Sequence, residues 1–144
     1  MFHRLILDEL NQWRNSQWRK PLIIRGARQV GKTTVIHEFG KQFKQYIYLN
    51  LENSKDVSLF RNEYDIHDLV TRIFLEKKRN LQKINETLLF IDEIQEMPEM
   101  LNRLRYFKEE LPELCVISAG SMLENLMGKS LHFPVGRVEF KVLR

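Results

Sequence analysis

Ten residues decide the fold of this chain: Arg25 to Thr34, RGARQVGKTT. The apolar run PLIIR, residues 21–25, comes directly before the glycines and predicts a buried strand, and the segment 32–43 predicts a helix. Between them, residues 26–33 match G-x-x-x-x-G-K-[ST] at every fixed position. The pattern alone arises by chance in roughly one chain of this length in a few hundred. We therefore interpret the segment as a phosphate-binding loop rather than an ordinary glycine turn.

Each residue type in the loop suits this chemistry. Glycines let backbone N–H groups turn inward around a phosphate, and the following helix points the positive end of its dipole at the same anion. Lys32 can reach the β- and γ-phosphates, and the Thr33 hydroxyl can coordinate Mg²⁺. The predicted cofactor-binding residues are Gly26, Ala27, Arg28, Gln29, Val30, Gly31, Lys32, Thr33 and Thr34.

A second polar segment complements the loop. In LLFIDEIQ, residues 88–95, four apolar residues lead to Asp92 and Glu93. A carboxylate at the end of a buried strand can hold the water shell of Mg²⁺ opposite Thr33. A second carboxylate beside it can polarise an attacking water, which favours hydrolysis over transfer to a bound acceptor. An acidic strand end exposed to solvent is the alternative interpretation.

Apolar strands alternate with helical patterns along the rest of the chain. Further strands are predicted at 46–52, 87–92, 114–119 and 138–143, and further helices at 3–16, 65–80, from 100 to 111 and near 121–127. Two apolar stripes predict core faces: Phe2, Leu5, Ile6, Leu10 and Trp13 in the first helix, and Ile66, Leu69, Val70, Ile73 and Phe74 in the third. The alternation predicts an α/β fold with a parallel sheet covered on both faces, in three layers.

Composition sets the remaining bounds. The 144 residues are 43% hydrophobic and 29% charged, which is typical of one folded domain. A net charge of +4 does not by itself indicate a nucleic-acid partner and leaves one open, and the cations of EKKRN, residues 76–80, read as the solvated end of a helix. No apolar run approaches the roughly 18 residues of a membrane span. With a single cysteine, Cys115, in an apolar run, we expect a cytoplasmic protein.

GARQVGKTT followed by LLFIDEIQ resembles the Walker A and Walker B motifs of the AAA+ ATPases. More narrowly, the chain resembles a prokaryotic AAA-type subgroup that usually continues into a C-terminal domain of uncertain, sometimes nuclease-like, character. The resemblance covers nearly the whole chain. It implies a sheet of about five strands in the order 5-1-4-3-2, with ATP and Mg²⁺ as cofactors. It also implies ATP hydrolysis that drives a conformational switch or remodelling.

The resemblance also assigns roles by position. Lys32 and Thr33 would contact phosphate and Mg²⁺, Asp92 would be the Walker B aspartate, and Glu93 the catalytic base. Ser121, with Ser118 as its rival, occupies the sensor 1 region, although Ser121 could instead cap a helix. Arg137, after Gly136, occupies the region of an arginine finger, which implies self-association; a structural salt bridge is the alternative.

The chain departs from the subgroup in two places. Ala27 stands where proline is common, which should matter little beside Gly26 and Gly31. The sequence stops at Arg144, where a helical lid would follow. We therefore expect residues 1–144 to form one nucleotide-binding core, truncated before the lid and the C-terminal domain, with weak ATPase activity. A non-hydrolysing ATP-binding regulatory module is the alternative function.

Overall fold

Five parallel strands form one sheet in the computed structural model, which describes residues 2–26, 31–61, 65–121 and 139–142. The strands are β1 (Leu22–Arg25), β2 (Gln45–Asn50), β3 (Thr87–Asp92), β4 (Cys115–Gly120) and β5 (Glu139–Val142). Their order is β2-β3-β4-β1-β5, and each neighbouring pair is parallel. This is the order 5-1-4-3-2 read from the opposite edge, so the predicted fold class is confirmed.

Helices cover both faces of the sheet. They are α1 (Phe2–Asn15), α2 (Lys32–Gly40), α3 (Ser54–Ser58), α4 (Ile66–Glu76) and α5 (Glu99–Glu110), with 3-10 segments at Leu81–Glu86 and Ile94–Glu96. Side chains of α1 and α2 pack in one hydrophobic core, and those of α4 and α5 pack in another on the opposite face. The predicted three layers are therefore present. Within the described ranges, no helix combines the length and apolarity needed to cross a membrane.

The central strands are mostly apolar because helices cover them on both sides. Every residue of β3 and β4 is buried. Along β3, Leu88 and Phe90 pack towards α1 and α2, whereas Leu89 and Ile91 pack towards α4 and α5. Since side chains alternate along a strand, Asp92 lies on the same face as Phe90. The strand therefore directs this carboxylate to the side of α2.

The predicted core stripe of α4 is buried in full, but that of α1 is only partly right. Ile6, Leu10 and Trp13 are buried at spacings of four and three residues, and Trp13 packs against Phe39 with ring centroids 6.4 Å apart. Leu5 is 66% exposed, which contradicts the prediction. The reason is geometric, because neighbouring residues of a helix project about 100° apart, and Ile6 already faces the sheet.

Candidate functional site

Three polar segments meet at the carboxyl edge of the sheet. Gly26 follows β1, Asp92 ends β3, and Ser121 follows β4. Because β4 lies between β3 and β1 and all three strands are parallel, their carboxyl ends share one edge. Open α/β sheets bind ligands at this edge.

The glycine loop enters α2 through a left-handed residue. Gly31 has φ 76° and ψ 26° and occupies the N-cap position, with no side-chain cap for the helix. A residue with a Cβ atom is strained in this conformation, which explains the glycine. The geometry of an α-helix leaves its first amides without intrahelical acceptors, so an anion at this end is well placed to accept from them. Residues 27–30, predicted to complete the cradle, lie outside the described ranges.

Lys32 is folded over the start of the loop. Its side chain is only 6% exposed, and its Nζ donates to the carbonyl oxygen of Gly26 at 2.8 Å. Lys32 is the first residue of α2 and Gly26 directly follows β1, so this bond spans the two ends of the glycine loop. A buried ammonium that donates to a carbonyl oxygen can exchange this bond for a stronger, charge-assisted hydrogen bond to an anion.

Thr33 and Asp92 are in direct contact. The hydroxyl of Thr33 donates to Oδ2 of Asp92 at 2.8 Å, and the backbone N–H of Glu93 donates to Oδ1 at 2.9 Å. Asp92 is 2% exposed, so these bonds hold a nearly buried carboxylate. The sequence predicted that the hydroxyl and the carboxylate would share a site, and they lie within hydrogen-bond distance of each other.

This pair suits a magnesium ion. One hydroxyl and one carboxylate are hard oxygen donors, and Mg²⁺ usually keeps several waters and takes few protein ligands. In the part of the chain that the structure describes, no group of three or more His, Cys, Asp or Glu side chains could hold a metal ion. The pair Thr33–Asp92 therefore fits a cation whose remaining ligands are phosphate and water.

Glu93 has an unusual backbone. Its φ of 56° and ψ of 46° place a non-glycine residue in the left-handed region, at a cost of roughly 1–2 kcal/mol. The Glu93 side chain is half-buried, and its Oε1 accepts a hydrogen bond from Nε2 of Gln95 at 2.7 Å. Strained conformations of this kind cluster at functional sites. The turn thus places the Glu93 backbone N–H on Asp92 and the Glu93 carboxylate within reach of Gln95.

Tyr48 was missed by the sequence reasoning, although it contacts Asp92. Its hydroxyl donates to Oδ2 of Asp92 at 2.8 Å, the same oxygen that accepts from Thr33. Burial and the hydrogen bond to Asp92 raise the pKa of Tyr48 well above its usual value, so it remains a donor. The alternation of Tyr46 and Tyr48 in β2, beside β3 in the predicted strand order, was the available signal.

His37 and Tyr46 extend this cluster behind Asp92. His37 Nδ1 and the Tyr46 hydroxyl are hydrogen-bonded at 2.6 Å, and the His37 ring packs edge-on against Tyr48 with centroids 4.6 Å apart. Burial is the main reason that the pKa of Tyr46 is raised, with smaller effects from Tyr48 and Asp92. The sequence did not predict His37 as a residue of the site, because its contacts with Tyr46 and Tyr48 depend on packing between α2 and β2.

Comparison with known proteins identifies the family of the chain. A sequence profile of the family described as "AAA domain" matches residues 18–144. The chain belongs to this AAA domain family. It is therefore a nucleotide-binding module of the ATPase type. No match was found among curated proteins.

The fold of this AAA domain is also similar to a solved structure, that of the Aeropyrum pernix ORC1 protein in complex with DNA. The two share 14% sequence identity with a TM-score of 0.65, and the match covers 99% of this chain and 44% of the ORC1 chain. At this identity the likeness concerns the fold alone. The AAA domain described here thus spans less than half the length of that protein.

Two serines of the AAA domain are candidates for the predicted sensor 1 residue. Ser121 is buried at the end of β4, and Ser118 is buried within β4, where its hydroxyl has no hydrogen-bond partner among the residues that the structure describes. Ser118 alternates with Val116, which packs towards α4 and α5, so it faces away from the side of Asp92. The geometry favours Ser121. Gly136 and Arg137 lie outside the described residues, so the finger stays a prediction.

Proposed function

We propose that this AAA domain binds ATP together with Mg²⁺ at the carboxyl edge of the sheet and hydrolyses it, and that hydrolysis drives a conformational switch or remodelling. The observation that carries the proposal is the 2.8 Å hydrogen bond between Thr33 and Asp92. It joins the helix after the glycine loop to the end of β3. Thr33 and Asp92 thus act as the hydroxyl and the aspartate of Walker A and Walker B motifs.

Each residue of the site would have its own role in ATP binding and hydrolysis. Lys32 exchanges its bond to the Gly26 carbonyl for phosphate oxygens, and the first amides of α2 donate to the same phosphates. The Thr33 hydroxyl, and Asp92 through water, would hold Mg²⁺, which would supply positive charge to neutralise the phosphates. Glu93 orients a water molecule and accepts its proton. Ser121 senses the γ-phosphate from the end of β4.

The first experiment measures binding of a fluorescent ATP analogue with and without Mg²⁺. Replacing the Lys32 ammonium removes at least one charge-assisted hydrogen bond to phosphate, about 2–3 kcal/mol, so Lys32→Ala should weaken binding by about thirty- to two-hundredfold. Lys41→Ala is the matched control, because Lys41 is an exposed lysine at the end of the same helix. Equal affinities for the two variants would contradict the proposal.

A second experiment separates binding from hydrolysis. The hydrogen bond from Gln95 to Glu93 specifically favours the alternative function, a non-hydrolysing regulatory module, because it occupies one oxygen of the proposed base. Phosphate release is measured for the wild type and for Glu93→Gln, which keeps the shape of the side chain. Hydrolysis by Glu93 requires a measurable wild-type rate that falls by about a hundredfold or more in the variant. Equal near-zero rates with intact ATP binding would establish the regulatory module.

The arginine finger is tested in the same assay. If Arg137 acts from a neighbouring subunit, Arg137→Ala lowers phosphate release without weakening ATP binding, and sedimentation shows larger particles with ATP than without. A monomer in both conditions, with turnover unchanged by Arg137→Ala, would remove this part of the proposal and leave the ATP site standing.

A further inference from the structure

A groove of about 560 Å³ opens at the end of the sheet opposite to Asp92, and four cationic side chains line it. They are Lys41, Lys44, Lys78 and Arg79, and we refer to the site as the basic groove. The first two come from the link between α2 and β2, and the other two from the turn after α4. β2 begins at this end and runs to the carboxyl edge, about 17 Å away over its six residues.

The positive charge of the basic groove is poorly compensated. Of the described residues that line it, none is acidic. Lys44 forms an ion pair with Glu86 at 3.5 Å, but their side chains are 67% and 39% exposed, so the pair contributes little. The amines of Lys41 and Lys78 form no hydrogen bond or ion pair with any described part of the chain. Such a concentration of like charge produces a local potential that attracts anions.

Lys78 occupies a backbone position that favours glycine. Its φ is 56°, in the left-handed region. Lys78 N donates to the carbonyl of Leu75 at 3.2 Å and Arg79 N to that of Phe74 at 2.8 Å, which is the Schellman ending of a helix. Glycine is the usual residue at this point because any side chain is strained there. The sequence instead keeps a cation at this position, and its side chain lines the basic groove.

The two sides of the basic groove are fixed relative to each other. Gln45 donates from Nε2 to the carbonyl of Asn80 at 3.0 Å, and its Oε1 accepts from the N–H of Asn80 at 2.8 Å. Arg79 donates to the carbonyls of Lys77, at 2.8 Å, and Tyr46, at 3.4 Å. These bonds tie the turn after α4 to the start of β2. The cations are therefore presented on a preorganised surface, which lowers the entropic cost of binding.

We propose that the basic groove binds the sugar-phosphate backbone of a nucleic acid, without reading its sequence. An open site of this volume with four separate cations suits an extended polyanion better than a single small anion. Three of the four cations are lysines, which bind phosphate as point charges, and the fork of Arg79 is already engaged with carbonyls. Bidentate recognition of peptide carboxylates is therefore disfavoured.

The test is fluorescence anisotropy of a short labelled DNA duplex with the 144-residue chain, without ATP, across a range of NaCl concentrations. Four phosphate contacts predict a slope of about −3.6 for log K against log salt, or about a hundredfold loss of affinity between 50 and 200 mM. In Lys41→Gln/Lys78→Gln the slope should fall to about −1.8. The control Arg4→Gln/Arg105→Gln removes two exposed charges elsewhere and should retain the full slope.

A second variant separates charge from folding. Lys78→Gly relieves the left-handed strain, so its melting temperature should be equal to or above that of the wild type while its DNA affinity falls. No change in anisotropy with the wild type, or equal losses in the two double variants, would overturn the proposal. Tighter binding to anionic lipid vesicles or to poly-glutamate than to DNA would also overturn it, in favour of a membrane or an acidic protein. None of these outcomes depends on the ATP site.

Discussion

Removing the hydroxyl of Tyr48 gives a sharp test of how Asp92 is held. Asp92 accepts hydrogen bonds from Tyr48, Thr33 and the N–H of Glu93, and Tyr48→Phe leaves the last two. A hydrogen bond to a charged group contributes about 1.5–3 kcal/mol. Because Tyr48 is only half-buried, water can replace part of this interaction, and we expect a loss of about 1 kcal/mol.

Two assays measure this loss. In urea, Tyr48→Phe should lower the free energy of unfolding by about 1 kcal/mol at an unchanged m-value. If Asp92 supports Mg²⁺ as proposed, the Mg²⁺ concentration needed for half-maximal ATP binding should rise about fivefold, because 1 kcal/mol corresponds to that ratio. Binding of ATP without Mg²⁺ should not change.

Tyr46→Phe is the matched control for both assays. It removes a hydroxyl from the same face of β2, but that hydroxyl contacts His37 and does not contact Asp92. An equal rise in the Mg²⁺ requirement of the two variants, or no rise in Tyr48→Phe, would refute the assignment of Tyr48 as the residue that positions Asp92.

Three further predictions concern packing and titration. In Gly40→Ala the new Cβ would lie 2.7 Å from the Tyr46 ring, so we expect about 1–3 kcal/mol of destabilisation in urea, whereas an unchanged midpoint would contradict the close packing. Burial raises the pKa of the Cys115 thiol, so a thiol reagent should label it only as fast as the domain opens, and rapid labelling of the folded chain would contradict this. The raised pKa values of Tyr46 and Tyr48 mean that the unfolded chain loses these protons first, so the contribution of these two tyrosines to the urea midpoint should be constant below about pH 10 and fall above it. Tyr46→Phe/Tyr48→Phe should reduce that fall, and an equal fall would assign it to other groups.

The strands and the pair Thr33–Asp92 could be predicted because apolar runs and the glycine loop are local signals, while the resemblance to the AAA+ ATPases supplied the strand order. The apolar runs that became β3 and β4 are long enough to identify alone, and β3 ends in Asp92 while Ser121 directly follows β4. In a parallel sheet these ends must meet, so the contact between Thr33 and Asp92 follows from the strand order and the glycine loop. Helix ends were less accurate: α2 ends at Gly40, three residues before the predicted end, where the chain turns closely against Tyr46.

The rest of the site could not be predicted because it depends on register and on backbone conformation. Tyr48 contacts Asp92 only because β2 and β3 pair with Asn50 opposite Asp92, and no local pattern specifies that alignment. The left-handed conformations of Glu93 and Lys78 could not be predicted from the sequence either, since neither residue type favours them. From the sequence, the EKKRN segment was interpreted as a solvated helix end. That Lys78 lines the basic groove can be seen only in the folded chain.

The position of β1 in the sheet has a consequence for synthesis of the chain. β1 is made early, yet its two hydrogen-bonding neighbours, β4 and β5, are made late, with β5 more than a hundred residues after it. Pairings between such distant segments form slowly, and during translation the partners of β1 are still inside the ribosome. The glycine loop that extends from β1 therefore reaches its place among the last events of folding. A nascent chain should gain the ability to hold nucleotide abruptly, once β5 has emerged from the ribosome, rather than in stages.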